Sequence, residues 1–164
     1  MMNPMMKKFV DQEFMTEEEA KIISEAIENK DSVIAAGHRS AGIRPFMATL
    51  MMVASRAHSA VQVKGEEDLS KEGDYLLIPG IDGIDFEDLI YKAILQEDKG
   101  MITLKEPEHP YSLFKIMRKA YKENKNTDKV YYLVECDKEN DVPFVKKITK
   151  VSQNEKGKTI KEDL

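Results

Sequence analysis

A chain of 164 residues with 41% hydrophobic and 34% charged residues, and only 8 glycines and 6 prolines, has the balance of one folded domain rather than of a disordered or repetitive chain. Its formal charge of -5 excludes the broad basic field that draws in nucleic acid or an anionic membrane, and no apolar stretch reaches the ~18 residues of a membrane span. Cys136 is the one cysteine, so no intrachain disulfide forms, and Met1 to Phe9 lacks the apolar core of a signal peptide; both set the expectation of a reducing, cytoplasmic location.

Thr16-Glu17-Glu18-Glu19 has the spacing of a capping box, and Ala20, Ile23, Ala26 and Ile27 follow at helical intervals, which predicts a helix from about 16 to 29. After the turn Asn29-Lys30-Asp31, the unbroken apolar run Ser32 to Ala36 reads as a strand buried on both faces, the mark of a parallel sheet. Pro45 suits the first turn of a second helix continuing to Ala57, with Met47, Met51 and Met52 read as core filling. Strands are expected at Ala60 to Lys64 and Tyr75 to Ile78, with an acidic turn at Glu66 to Asp68 between them. Asp85 is placed to cap a helix carrying Phe86, Leu89, Ile90, Ala93 and Ile94 and ending near Gly100.

Met101 to Leu104 reads as a strand, Tyr111 to Glu123 as a helix, and Val130 to Cys136 with Phe144 to Val151 as a closing hairpin. The alternation predicts an α/β fold: a mostly parallel or mixed sheet with flanking helices and a C-terminal β-hairpin, over residues 1–151, with a polar tail at 152–164 that frays. His38, His58 and His109 fit no metal-ligand spacing and take structural or surface roles. Asp82, Asp85, Glu87 and Asp88 cap and solvate a helix start. No metal site and no nucleophile elbow is expected.

One segment carries chemistry. Gly37-His38-Arg39-Ser40-Ala41-Gly42-Ile43-Arg44 places two glycines five apart between a strand and a helix, a spacing that can set backbone N–H groups around an anion at a helix N-terminus. The same pattern also serves as an ordinary tight turn. In a working phosphate loop the second Gly is followed by Lys, for the outer phosphates, and by Ser or Thr, for the magnesium ion; here Ile43 and Arg44 stand in those places.

Asn29 to Ser55 resembles the phosphate-loop strand and helix of the pilus and secretion motor ATPases, the family of the PilT-like pilus-retraction, type II secretion and CpaF-like ATPases. Tyr75 to Gly83 with the helix behind it is similar to their Walker B strand, and Gln62 to Asp68 to a remnant of their acidic Asp box. Gly100 to Pro107 is similar to the strand ending in their His box, and Lys129 to Cys136 with Phe144 to Val151 to their closing hairpin. The resemblance spans about Asn29 to Val151, without the family's amino-terminal domain. It implies a P-loop NTPase-like core, and it puts Ile43 at the loop Lys, Gly80 at the Walker B Glu and Lys105 at the His-box histidine.

The implied protein is a non-catalytic member acting as an interaction or regulatory subunit. Residues 37 to 44 would bind ATP, ADP or phosphate weakly, through the backbone and Arg39 or Arg44. Because such motors form rings, the partners implied are a second copy or an active pilus or secretion ATPase. Two alternatives compete: a divergent magnesium-dependent ATPase using Arg44 or Lys105, and an unrelated α/β scaffold in which no strand enters the loop at the centre of the sheet.

Overall fold

The computed structural model describes residues 1–164. Five helices, α1 (Lys7–Asp11), α2 (Glu17–Glu28), α3 (Ile43–Ala57), α4 (Phe86–Ile94) and α5 (Leu113–Asn124), surround one mixed sheet. Its strands are β1 (Ser32–Ala36), β2 (Ala60–Gln62), β3 (Tyr75–Ile78), β4 (Gly100–Lys105), β5 (Tyr131–Glu139), β6 (Val142–Gln153) and β7 (Thr159–Asp163). They lie in the order β2-β3-β4-β1-β5-β6-β7, parallel from β2 through β5 and antiparallel from there to β7. The expected α/β class, with a mostly parallel mixed sheet and flanking helices, is the observed one.

Local chemistry explains most boundaries. Glu19 N–H donates to Thr16 Oγ1 at 3.1 Å while Thr16 N–H donates to Glu19 Oε1 at 2.9 Å, the reciprocal box that starts α2. Asp85 accepts from Asp88 N–H at 3.1 Å and starts α4, and Ser112 does the same for α5. Every residue of β1 and of β3 is buried, so both faces of the sheet centre are covered. On the helical side of α3, the rings of Phe9, Phe14 and Phe46 meet at centroid distances of 5.4, 5.6 and 5.2 Å, pinning the amino-terminal segment to the core.

Three expectations need correction. The helix expected to end near Gly100 stops at Ile94, and Gly100 opens β4, where any side chain would meet the Lys30 carbonyl and the Tyr75 ring. The tail from 152 to 164 does not fray: a turn over Asn154 to Gly157, held by Asn154 Oδ1 accepting from Lys156 and Lys158 N–H, returns the chain as β7. Of the three methionines of α3 only Met47 is buried; Met51 packs in part, and Met52 is 48% exposed.

The topology places one crevice. From β1 the chain leaves through α3 towards the β2 edge, whereas from its neighbour β4 it leaves through α5 to β5 on the far side of β1. Adjacent strands whose connections depart in opposite directions leave a gap at their carboxyl ends, and ligands of open α/β sheets bind in such gaps.

Candidate functional site

The segment after β1 and the segment after β4 form the two walls of that crevice. Ala36 pairs with Lys105, and Gly37 N–H donates to the Lys105 carbonyl at 3.0 Å, so the two strand ends leave the sheet side by side. Gly37 has φ +141°, and a side chain there would strike the Cys136 carbonyl on β5. Gly42 sits in the left-handed region at φ +78° and turns the chain into α3. The two glycines thus serve the sharp entry and the sharp exit of the turn.

Between them the loop is largely closed on itself. Arg39–Ala41 forms a single 3-10 turn. Its start is capped by the His38 ring, whose Nδ1 accepts from Ser40 N–H at 3.1 Å, with Ser40 Oγ 2.8 Å from the same nitrogen. Ala41 N–H donates to the His38 carbonyl at 2.9 Å. The amides of Gly37, Ser40 and Ala41 are therefore engaged within the protein rather than turned to a cradle. Ile43 is completely buried, with its Cδ1 underneath Gly37, while Pro45 is exposed. Apolar filling under the loop comes from Ile43 alone of these two.

Arg44 turns towards β4. Its Nη2 donates to Oε1 of Glu106, a carboxylate whose side chain is 0% exposed. Nδ1 of the buried His109 lies 3.0 Å from the same oxygen, and Arg39 Nη2 lies 4.0 Å from it. His109 Nε2 is in turn 3.0 Å from Asp82, in the loop after β3. The ring is thus clamped at both nitrogens, with Gly80 against its face and the Phe86 ring 5.1 Å from it.

The ion pair is only half made. Arg44 Nε and Glu106 Oε2, the natural partners of a second parallel bond, are both buried with no hydrogen-bond partner. Desolvation without compensation costs about 1–3 kcal/mol per group, which makes this the least satisfied polar spot in the sheet's surroundings.

The structure brings residues 37 to 44 together with a cluster that sequence reading did not foresee, namely Glu106, His109 and Asp82. The expectation for the three histidines was a structural or surface role. His38 is exposed and caps the 3-10 turn, and His58 Nε2 donates to the Ile27 carbonyl at 2.8 Å. His109 is buried, with both ring nitrogens bonded inside the charged cluster. Asp85 caps α4 as expected, whereas Asp82 holds His109. The available signal was Glu106-x-x-His109, two ionisable residues three apart straight after a strand.

Open space lies beside the cluster and elsewhere. A cavity of about 250 Å³ lined by Asp82, Asp85, Phe86, Glu108 and His109 adjoins it, and a larger cleft of about 440 Å³ between α4 and α5 does not. The larger cleft is framed by Asp85, Asp88, Lys115 and Lys119, a mixed-charge surface without a buried polar group. Cys136 is buried and free, its thiol pushed up to about 12 chiefly by desolvation, which makes it inert at neutral pH.

No protein-family model matches the chain, and no curated protein matches it. No helix is long and apolar enough to cross a membrane, and no group of three or more His, Cys, Asp or Glu side chains is placed to hold a metal ion.

Proposed function

We propose that the chain is a non-catalytic relative of the pilus and secretion motor ATPases, working in the cytoplasm as an interaction or regulatory subunit that binds nucleotide or phosphate at most weakly. The observation that carries the reading is the position of β1. It is flanked by β4 and β5 in the middle of the sheet, and it runs directly into Gly37–Gly42 and then α3. An unrelated scaffold with an incidental turn has no need to put that turn at the switch point of the sheet.

The side chains at the four places where hydrolysis needs help support the non-catalytic half. Phosphoryl transfer to water requires a cation on the outer phosphates, a held magnesium ion and a carboxylate for the water. Ile43 is buried and apolar, Arg44 is tied to Glu106, Gly80 is packed under His109, and Lys105 belongs to the end of β4.

Light scattering on the purified protein, alone and mixed with an active pilus or secretion ATPase, tests the reading. It expects self-association or a mixed complex, together with no phosphate release from ATP or GTP in magnesium. A strictly monomeric protein that ignores the motor overturns it. Magnesium-dependent turnover that disappears in Arg44→Ala replaces it with the divergent ATPase.

A further inference from the structure

We infer that Glu106 is a displaceable internal counter-anion, holding shut a site whose competing ligand is an oxyanion of the phosphate class. The inference rests on the proposed reading of residues 37 to 44 as a phosphate-loop remnant, and it adds what occupies and controls that site.

The geometry around one atom carries it. Glu106 Oε1 is the point on which Arg44 Nη2, His109 Nδ1 and, more distantly, Arg39 Nη2 converge. Donors arriving at one oxygen position from both walls of the crevice, two arginines after β1 and a histidine after β4, form the pattern by which a phosphoryl oxygen is held. The carboxylate that fills the position fits it poorly. It is hydrogen-bonded twice at Oε1 and not at all at Oε2, and it leaves Arg44 Nε buried and unpaired. A planar carboxylate well matched to a guanidinium takes two parallel bonds; this one is offset so that only one forms.

A tetrahedral oxyanion seated between Arg44 and Arg39 can accept from Nε and Nη2 together. It would leave Glu106 free to keep His109 or to move out to water. The route in is from the arginine side, where Arg39 is 58% and Arg44 39% exposed in their side chains. The opposite side of His109 is lined by Asp82, Asp85 and Glu108 and repels an anion. The half-made pair therefore acts as a latch: it supplies the counter-charge that the part-buried Arg44 needs when the site is empty, yet it gives up little when a better acceptor arrives.

The test is calorimetric titration of inorganic pyrophosphate into the full chain and into Glu106→Gln, with thermal melting to show that each variant is folded. Glu106→Gln keeps the side-chain shape and removes the competing charge, so it is expected to bind pyrophosphate at least tenfold more tightly than the wild type. Equal or weaker binding by a folded Glu106→Gln overturns the inference. Should Glu106→Gln not fold, Arg39→Ala decides, because that side chain is mostly in water. Pyrophosphate binding to the wild type must fall at least threefold in Arg39→Ala, and unchanged or undetectable binding in both overturns the inference. Neither result depends on assembly, so a monomeric protein that exchanges Glu106 for pyrophosphate would defeat the motor-subunit reading while leaving the latch standing.

Discussion

The two ends of the parallel strands solve the problem of buried polarity in different ways. At the amino ends, charged side chains are stitched to backbone carbonyls: Lys99 Nζ donates to the Leu69 carbonyl at 2.8 Å and to that of Lys71, and Lys129 Nζ donates to the Lys99 carbonyl at 3.0 Å. Tyr75 Oη likewise donates to the Asp31 carbonyl at 2.6 Å. At the carboxyl ends, Arg44 at the start of α3, Glu106 and His109 after β4, and Asp82 after β3 are paired with one another. Main-chain carbonyls cannot swing away as side chains can, so the first arrangement anchors the fold. Side chains bound to side chains can exchange partners, and the second arrangement also leaves two of its groups unpaired. The difference separates a structural seam from a candidate site without reference to any motif.

The sharpest way to break the comparison is to truncate the buried carboxylate. Glu106→Ala strands the guanidinium of Arg44 and removes the acceptor for His109, and removal of one partner of a buried pair costs about 3–5 kcal/mol. Urea denaturation is expected to report a loss in that range, with the part-exposed Arg44 pulling it to the lower end. A loss below ~1 kcal/mol would mean that the cluster is already open to water and that the two edges differ less than their geometry implies.

A smaller effect is expected from the glycine beneath His109. A Cβ at Gly80 would lie 2.7 Å from Cε1 and 2.9 Å from Nδ1 of the ring, and a retreat of the ring would disturb its bonds to Glu106 and Asp82. Gly80→Ala is therefore expected to cost about 1–3 kcal/mol by overpacking and to shift the His109 ring resonances in an NMR spectrum. Unshifted resonances would show that the ring is mobile rather than clamped.

How much of this was legible in the sequence follows from the range of the interactions. The start of α2 is written in four consecutive residues and the start of α4 in Asp85 to Asp88, and both were readable. So was β1, because five buried residues in a row leave few alternatives to a central strand. The carboxyl-edge cluster was not, since Arg44 and Glu106 are 62 residues apart and Glu106 lies in the polar run Lys105-Glu106-Pro107-Glu108-His109-Pro110, which reads as a solvated loop. Strand β7 was missed for a different reason. Thr159-Ile160-Lys161-Glu162-Asp163 is an edge strand, where charge is compatible with pairing on one side and discourages further pairing on the other, so its composition resembles that of a loose tail.

The smallest expected effect lies at the amino edge, and it reads through pH rather than through stability at neutrality. Burial holds the Lys129 ammonium down to about 8 from its ordinary value of 10.5, although Asp98 and Glu97 act in the opposite direction. Between those values the unfolded chain binds the proton and the folded chain does not, so this group adds stability as pH rises from about 8 towards 10, and below about 8 its burial cost is fully present. Lys129→Met keeps the apolar stem and removes both the charge and its bond to the Lys99 carbonyl. At pH 7 it is expected to fall within about 1 kcal/mol of the wild type. The signature is in the difference between the two stability curves, which should move in favour of the wild type across that interval. Neither curve alone isolates it, because burial pushes the Tyr75, Tyr111 and Tyr131 phenols up, and above about pH 10 they pull stability the other way. Parallel curves would mean that Lys129 keeps its proton in water, and the amino edge would then share the solvent access that distinguishes the arginines opposite.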